Sequence, residues 1–194
     1  MRMHVDAHRL LVRRRDQLFD VAAIVADALE VGPDLIIEPL SSKHDRSSFD
    51  CGESSLNTYL KQYARQNDEK GLGRTFVAVE PGQPRGEGYY TISTGAVTFE
   101  QVPEKLPRYP IPVVHLGRLA IDLNSQGKGL GELLLIDALK RASQASEQLG
   151  IYAVEVRALN DSARNFYLKY GFTALLDDEF HLYLPMKTIR KLKL

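Results

Sequence analysis

Apolar and polar positions recur along the chain with two periods, and the points where the period changes divide it into elements. Val21, Ile24, Val25, Ala28 and Leu29 fall at helical spacing, which predicts an amphipathic helix over residues about 8 to 30, cut off from the rest by Gly32-Pro33. Leu35 to Leu40 reads as a first strand, closed by a polar segment from Ser41 to Ser48. After a turn at Asp50-Cys51-Gly52, Leu56, Tyr59, Leu60 and Tyr63 mark one face of a helix. Thr75 to Val79 and Tyr89 to Phe99 read as strands joined by a turn between Pro81 and Gly86, a hairpin. A loop carrying Pro103, Pro107, Pro110 and Pro112 then leads into an extended apolar run, Val113 to Ile121.

The second half is clearer. Leu130, Leu134, Ala138, Ala142, Ala145 and Leu149 keep one helical stripe, Ile151 to Val156 is β-rich, and Ser162 to Tyr170 is helical. Phe180, Leu182, Leu184 and Met186 alternate as a final strand. Hairpins early and a strand-helix-strand unit late imply a mixed sheet in one α/β domain, residues 35–194, preceded by a helical appendage, residues 1–34. Ligands of such sheets bind at strand ends.

Composition narrows the class. A chain of 194 residues suits one domain that buries roughly 70% of its unfolded surface. A single cysteine, Cys51, excludes an internal disulfide and suits a reducing compartment. Arg13, Arg14 and Arg15 precede an apolar stretch, but Asp16, Asp20 and Asp27 interrupt it, and no run reaches the roughly 20 apolar residues of a membrane span. The expected location is the cytoplasm. Lys and Arg total 25 against 25 Asp and Glu, so any nucleic-acid site must be local. His44, His115 and His181 have no metal-ligand spacing, and no metal is expected. Cys51 has no evident histidine partner and reads as a small turn residue.

The chemistry concentrates at Gln126-Gly127-Lys128-Gly129-Leu130-Gly131, between the apolar run and the long helix. Glycines let backbone approach an anion, and the following helix offers unpaired N–H groups and partial positive charge. Strand, glycine loop and helix in that order form a phosphate cradle. A Walker loop requires Ser or Thr after its Gly-Lys, and Lys128 is followed by Gly129. The third glycine of a dinucleotide fingerprint would come one residue later than Gly131. A turn that only joins strand to helix is the plainer alternative.

A second constellation follows the next strand: Asn160-x-x-Ala163-x-x-Phe166-Tyr167, then Tyr170-Gly171-Phe172. Taken alone, Asn160 is a helix cap and Tyr167 a packed aromatic. With the loop, these residues resemble the GNAT acetyltransferases. The resemblance implies a mixed, mostly antiparallel sheet flanked by helices, with splayed central strands, and acetyl-coenzyme A as donor. It implies that Gln126, Gly129 and Gly131, with Gly127, Lys128 and Leu130 between them, hold the pyrophosphate. It further implies that Asn160 contacts the cofactor, that Leu119, Ala120 and Ile121 pair with the pantetheine amides, and that Tyr167 is the acid for the leaving thiolate. A tyrosine of pKa about 10 is protonated near neutrality, as that role requires.

Phe49-Asp50-Cys51-Gly52, Leu56 to Leu60, Tyr63-Ala64-Arg65-Gln66-Asn67, Arg74-Thr75-Phe76 and Leu184-Pro185-Met186-Lys187 look like the toxin branch of that family. That resemblance implies acetylation of the α-amine of aminoacyl-tRNA, a block of translation, and neutralisation by a ribbon-helix-helix antitoxin. Arg46, Lys61, Arg65 and Arg74 lie near the expected acceptor side, and Lys187, Arg190, Lys191 and Lys193 add charge at the tail. An α-amine of pKa about 8 hardly needs a dedicated base, and no carboxylate or histidine declares itself as one. Two further readings stand: a GNAT enzyme for a small-molecule amine or a protein N-terminus, and a non-catalytic binding module. The appendage reads as an antitoxin-contacting or homodimer-forming helix, or as the product of a start codon placed too early.

Overall fold

Seven strands form one sheet in the order β1-β2-β3-β4-β5-β7-β6 in a computed structural model, which describes Ala23 and residues 34–194, Lys193 excepted. The expected N-terminal helix and Lys193 lie outside the described residues, Ala23 apart. The strands are β1 (Ile36–Pro39), β2 (Arg74–Val79), β3 (Gly86–Val97), β4 (Ile111–Ile121), β5 (Ala153–Arg157), β6 (Thr173–Ala174) and β7 (His181–Pro185). Neighbours are antiparallel except β4 and β5, which run parallel. The mixed, mostly antiparallel sheet is the one expected. The short β6 and a C-terminal helix, α5 (Met186–Ile189), were not foreseen.

Three helices cover one face: α3 (Leu130–Ala145), α4 (Asp161–Lys169) and α5. From α3, Leu130, Leu134, Leu135, Ala138, Leu139 and Ala142 enter the main core with Val114 and Leu116 of β4 and Leu182 and Leu184 of β7. Ala145 and Leu149, expected on the same stripe, are exposed. The helix stops because Ser146 caps it, its hydroxyl donating to the Ser143 carbonyl.

The opposite face is covered by one helical segment, α1 (Ser54–Thr58), a π-turn at Tyr59–Tyr63 and α2 (Ala64–Glu69). Tyr59, Leu60 and Ala64 pack there with Val77, Val79, Tyr89 and Ala120. The i→i+5 bond from the Ala64 N–H to the Tyr59 carbonyl inserts an extra residue, so Ala64 turns inward and Tyr63, expected on the buried face, is exposed.

One irregularity in β4 positions everything that follows. Thr91 pairs with Arg118 but Ile92 pairs with Leu116, so Gly117 is an extra residue, a β-bulge. Alternation inverts across it. Before the bulge Val114 and Leu116 face α3; after it Leu119 and Ile121 do, while Ala120 packs on the other face. The parallel ladder to β5 holds only three pairs, Val113↔Ala153, Val114↔Val154 and His115↔Glu155. Beyond His115, β4 has a ladder partner only in β3. The two central strands splay there, and the gap opens between Leu119–Ile121 and the start of α4.

Candidate active site

The loop after β4 is held open from below. Asp122, buried at the strand end, accepts from the Asp50 N–H at 3.1 Å, from Asn124 N at 3.0 Å and Nδ2 at 2.9 Å, and from Arg85 Nη2 at 3.0 Å. Burial alone would raise its carboxyl, but these donors outweigh it and hold the pKa below the usual carboxylate value. The Ser125 hydroxyl donates to Glu87. Above this base the chain runs through Gly127 (φ 74°) and Gly129 (φ 79°) in the left-handed region, where a side chain costs roughly 1 kcal/mol. No acceptor among the described residues pairs the N–H groups of Gly127 to Gly131. Five successive donors at the start of α3 are left without an acceptor, a nest of the kind that can cradle an anion.

A cavity of about 500 Å³ lies between this nest, the splayed end of β4 and α4. It is lined by eight of the eleven expected site residues: Leu119, Ala120, Ile121, Gln126, Gly127, Gly131, Asn160 and Tyr167. Lys128, Gly129 and Leu130 stand outside the lining. Lys128 Nζ folds back onto the Asn124 carbonyl at 2.7 Å, and the Leu130 side chain is in the main core, so those positions face the nest only through their backbone. Gln126 closes the rim, its Nε2 donating to Ile121 O at 3.1 Å and Cys51 O at 3.3 Å. Cys51, Glu53 and Leu56 supply the opposite wall. A Cβ on Gly131 would meet the Phe166 ring at 3.8 Å, ordinary contact, so the smallness of that residue serves the cavity and not the packing.

Asn160 and Tyr167 sit on the same helix seven positions apart, two turns, and so on one face. Asn160 Oδ1 caps α4, accepting from Ala163 N at 2.9 Å, while its amide nitrogen has no partner among the described residues. Its cap geometry and its place on the cavity are both met. Tyr167 packs edge-on to Phe166 with ring centroids 5.2 Å apart and tilts against Phe172 at 5.4 Å. Tyr167 lines the cavity, and its hydroxyl bonds to no described residue. Burial pushes that hydroxyl above its ordinary pKa, so it remains a proton donor across the physiological range.

A backbone nest, an open strand edge and a free phenol around one cavity are the parts an acyl-thioester transfer needs. Residues 97–187 match the protein family described as "Acetyltransferase (GNAT) domain". A "tRNA-acetylating toxin" of Mycobacterium tuberculosis is 40% identical over 156 residues, 79% of this chain and 93% of that protein. The chain belongs to the GNAT family of acetyltransferases. Among solved structures, AtaT complexed with acetyl-methionyl-tRNAfMet superposes on this acetyltransferase with TM-score 0.78 at 34% identity, covering 83% of this chain and all of that one. A tyrosine-to-phenylalanine mutant of AtaT, bound to the C-terminus of the antitoxin AtaR and acetyl-CoA, superposes with TM-score 0.72 at 33% identity over 83% and 99% of the two chains.

The acetyltransferase holds a second polar site that the spacing did not announce. On the face away from α3, His115 Nδ1 lies 2.5 Å from Glu155 Oε2, and His181 Nε2 lies 2.5 Å from Glu155 Oε1. Asp177 Oδ2 is 2.8 Å from His181 Nδ1. Burial would raise the Glu155 carboxyl, but the two histidines outweigh it and hold it below its ordinary value. No carboxylate or histidine declared itself as a base in the sequence, and the spacing gives no mark of this cluster. Its members lie 26 and 40 residues apart, and the one signal available was a lone charge, Glu155, inside the apolar strand Ala153-Val154-Glu155-Val156.

The basic residues divide. Lys61 and Arg65 stand on the π-turn and α2, Arg46 donates to the Leu60 carbonyl at 3.3 Å and Arg74 to the Asp68 carbonyl at 3.3 Å, so all four gather on the helical segment beside the cavity wall. Arg65 also pairs with Glu69. Arg190 instead donates to Ser146 at the far end of α3, about 24 Å from the nest by helix rise. Among the described residues no cluster of three or more His, Cys, Asp or Glu could hold a metal ion, and no helix is long and apolar enough to cross a membrane.

Proposed function

We propose that the protein transfers the acetyl group of acetyl-coenzyme A to the α-amine of aminoacyl-tRNA and so blocks translation as the toxin of a toxin–antitoxin pair. Five unpaired N–H groups in a loop whose Gly127 and Gly131 line the same cavity as Tyr167 carry this reading. The nest from Gln126 to Gly131 takes the pyrophosphate; Leu119, Ala120 and Ile121 offer their β5-facing backbone to the pantetheine amides; the Asn160 amide contacts the cofactor near its middle. A thioester is already activated, so alignment and stabilisation of the leaving thiolate are the main tasks. Tyr167 donates its proton to that sulfur.

The acceptor assignment is supported by the named relatives, one a tRNA-acetylating toxin and one captured with acetylated methionyl-tRNA. The four basic residues on the α1–α2 segment supply local phosphate contacts in a chain whose charges balance overall. An antitoxin of the ribbon-helix-helix type is the expected partner, the cytoplasm the expected site of action, and residues 35–194 the catalytic domain. Residues 1–34 are the natural place for a partner or homodimer contact.

Labelled acetyl-coenzyme A incubated with a total charged tRNA pool tests the reading. Label recovered as N-acetylated amino acid after deacylation is the expected result. Label transferred only to small amines or protein N-termini would establish the housekeeping alternative, and failure to bind acetyl-coenzyme A would reduce the fold to a binding module.

A further inference from the structure

The second polar site lies where β4 leaves β5, and its geometry is that of a poised base. His115 and Glu155 are the last paired residues of the parallel ladder. The 2.5 Å bond to Glu155 fixes the proton on His115 Nδ1, which leaves Nε2 as an acceptor, and Nε2 has no partner among the described residues. That nitrogen hangs over the bulge: a Cβ built on Gly117 would come within 3.3 Å of it and within 3.2 Å of Thr91 Oγ1. Any side chain at position 117 would therefore crowd the imidazole. Gly117 is two residues, roughly 7 Å of strand, from Leu119 on the donor cavity. On the outer side, a separate cavity of about 340 Å³ opens onto His115, bounded by Thr94, Gly95, Gln101, Glu155, Arg157 and His181.

Resting on the acetyltransferase reading above, we propose that this second cavity admits the acceptor and that His115, held by Glu155, is the catalytic base that takes a proton from its ammonium group. The acceptor is thus a primary amine that arrives partly protonated, such as an α-amine of pKa about 8, for which a base matters below that pH and little above it. Of the three protons on that nitrogen, one passes to His115 Nε2 before attack and then to solvent. One stays on the amide. The third, shed as the C–N bond forms and the C–S bond breaks, ends on the coenzyme A sulfur by way of Tyr167. Glu155 is a positioning residue: it sets the tautomer and stabilises the imidazolium. His181, bonded to both Glu155 and Asp177, with Arg157 Nη2 at 3.1 Å, keeps the carboxylate in place.

The other groups facing His115 do not compete for the proton. β3 presents Ser93, its ladder partner, with Thr94 and Gly95. Across from Glu155 on β7 lies Tyr183, whose hydroxyl donates to Glu104.

The test is the pH profile of kcat/KM for charged tRNA, from pH 6 to 9.5, in wild type, His115→Gln and Glu155→Gln, with thermal melts and acetyl-coenzyme A affinity as controls. His115→Gln is expected to lose about a hundredfold at pH 6.5, a deficit that narrows to severalfold above pH 9, where the amine is neutral without help. Glu155→Gln, which loses the acceptor that holds the His115 Nδ1 proton, should show the same pH-dependent deficit in smaller size. A deficit in His115→Gln that is the same at every pH, or none at all, overturns the inference while leaving the acetyltransferase reading intact. Should His115→Gln unfold, Glu155→Gln alone decides, and a deficit in it that is absent or equal at every pH counts against the base. A wild type that acetylates no charged tRNA removes the reading and this inference together.

Discussion

The two halves of β4 are one strand with two purposes. In its first half it is paired on both sides at Val113 to His115, and Ile111, Val113, Val114 and Leu116 are buried in two cores. From Gly117 to Ile121 it keeps its β3 partner, loses its β5 partner and lines a cavity. Both are mostly apolar, His115 and Arg118 apart. What separates them is a single extra residue, the bulge at Gly117, which turns the sheet away from β5 and inverts which face each side chain meets. Function here comes from backbone left unpaired, in the strand and then in the loop, and not from a change of residue type.

The largest expected effect concerns the group that faces the open half. Tyr167→Phe should lower kcat by about a hundredfold to a thousandfold with melting temperature and acetyl-coenzyme A affinity little changed. Because burial raises the Tyr167 hydroxyl, wild-type activity should show no loss from its ionisation up to at least about pH 10, the ordinary tyrosine value. A basic limb near pH 8 that vanishes in the variant would contradict this.

Two leucines three positions apart test the halves against each other. Leu116→Ala, at 0% exposure in the main core, should cost about 3 kcal/mol in denaturant unfolding and leave the KM for acetyl-coenzyme A near its original value in the folded fraction. Leu119→Ala, half-buried on the cavity, should cost about 1 kcal/mol or less and raise that KM. Equal effects would mean that the splay has no special role.

Asp122→Asn sharpens the point at the strand end. It should destabilise by about 2 kcal/mol at pH 7, from charge-assisted hydrogen bonds lost to Arg85 and two backbone donors. The Asp122 carboxyl sits below its unfolded value, so its stabilisation is fully present above about pH 4 and fades as pH falls through the folded value. Wild-type and variant unfolding curves should therefore converge in acid. Smallest is the glycine pair: Gly129→Ala, at φ 79°, should cost about 1 kcal/mol and weaken acetyl-coenzyme A binding severalfold, whereas Gly131→Ala finds ordinary contact and should change stability by a few tenths.

Much of this was legible before the structure. The run from Val113 to Ile121, the glycine loop and the helix from Leu130 stand where the periodicity put them, because each is a long element with a consistent pattern. Asn160 caps α4 as its residue type suggested. The bulge was not read from the sequence, although a lone glycine such as Gly117 inside an apolar strand is its usual mark. The π-turn, which exposes Tyr63, is set by packing against Tyr89 and Arg118 and leaves no mark in the spacing. The His115–Glu155–His181 cluster is assembled from three strands, a contact that only the sheet order creates.

Amide hydrogen exchange with and without acetyl-coenzyme A tests the central claim most directly, because the backbone groups assigned to the donor are unpaired in the free protein. Strong slowing at Gly127 to Gly131 and at Leu119 and Ile121, with little change from Ile111 to Leu116, is the expected result. Protection spread evenly along β4, or none at the loop, would contradict it.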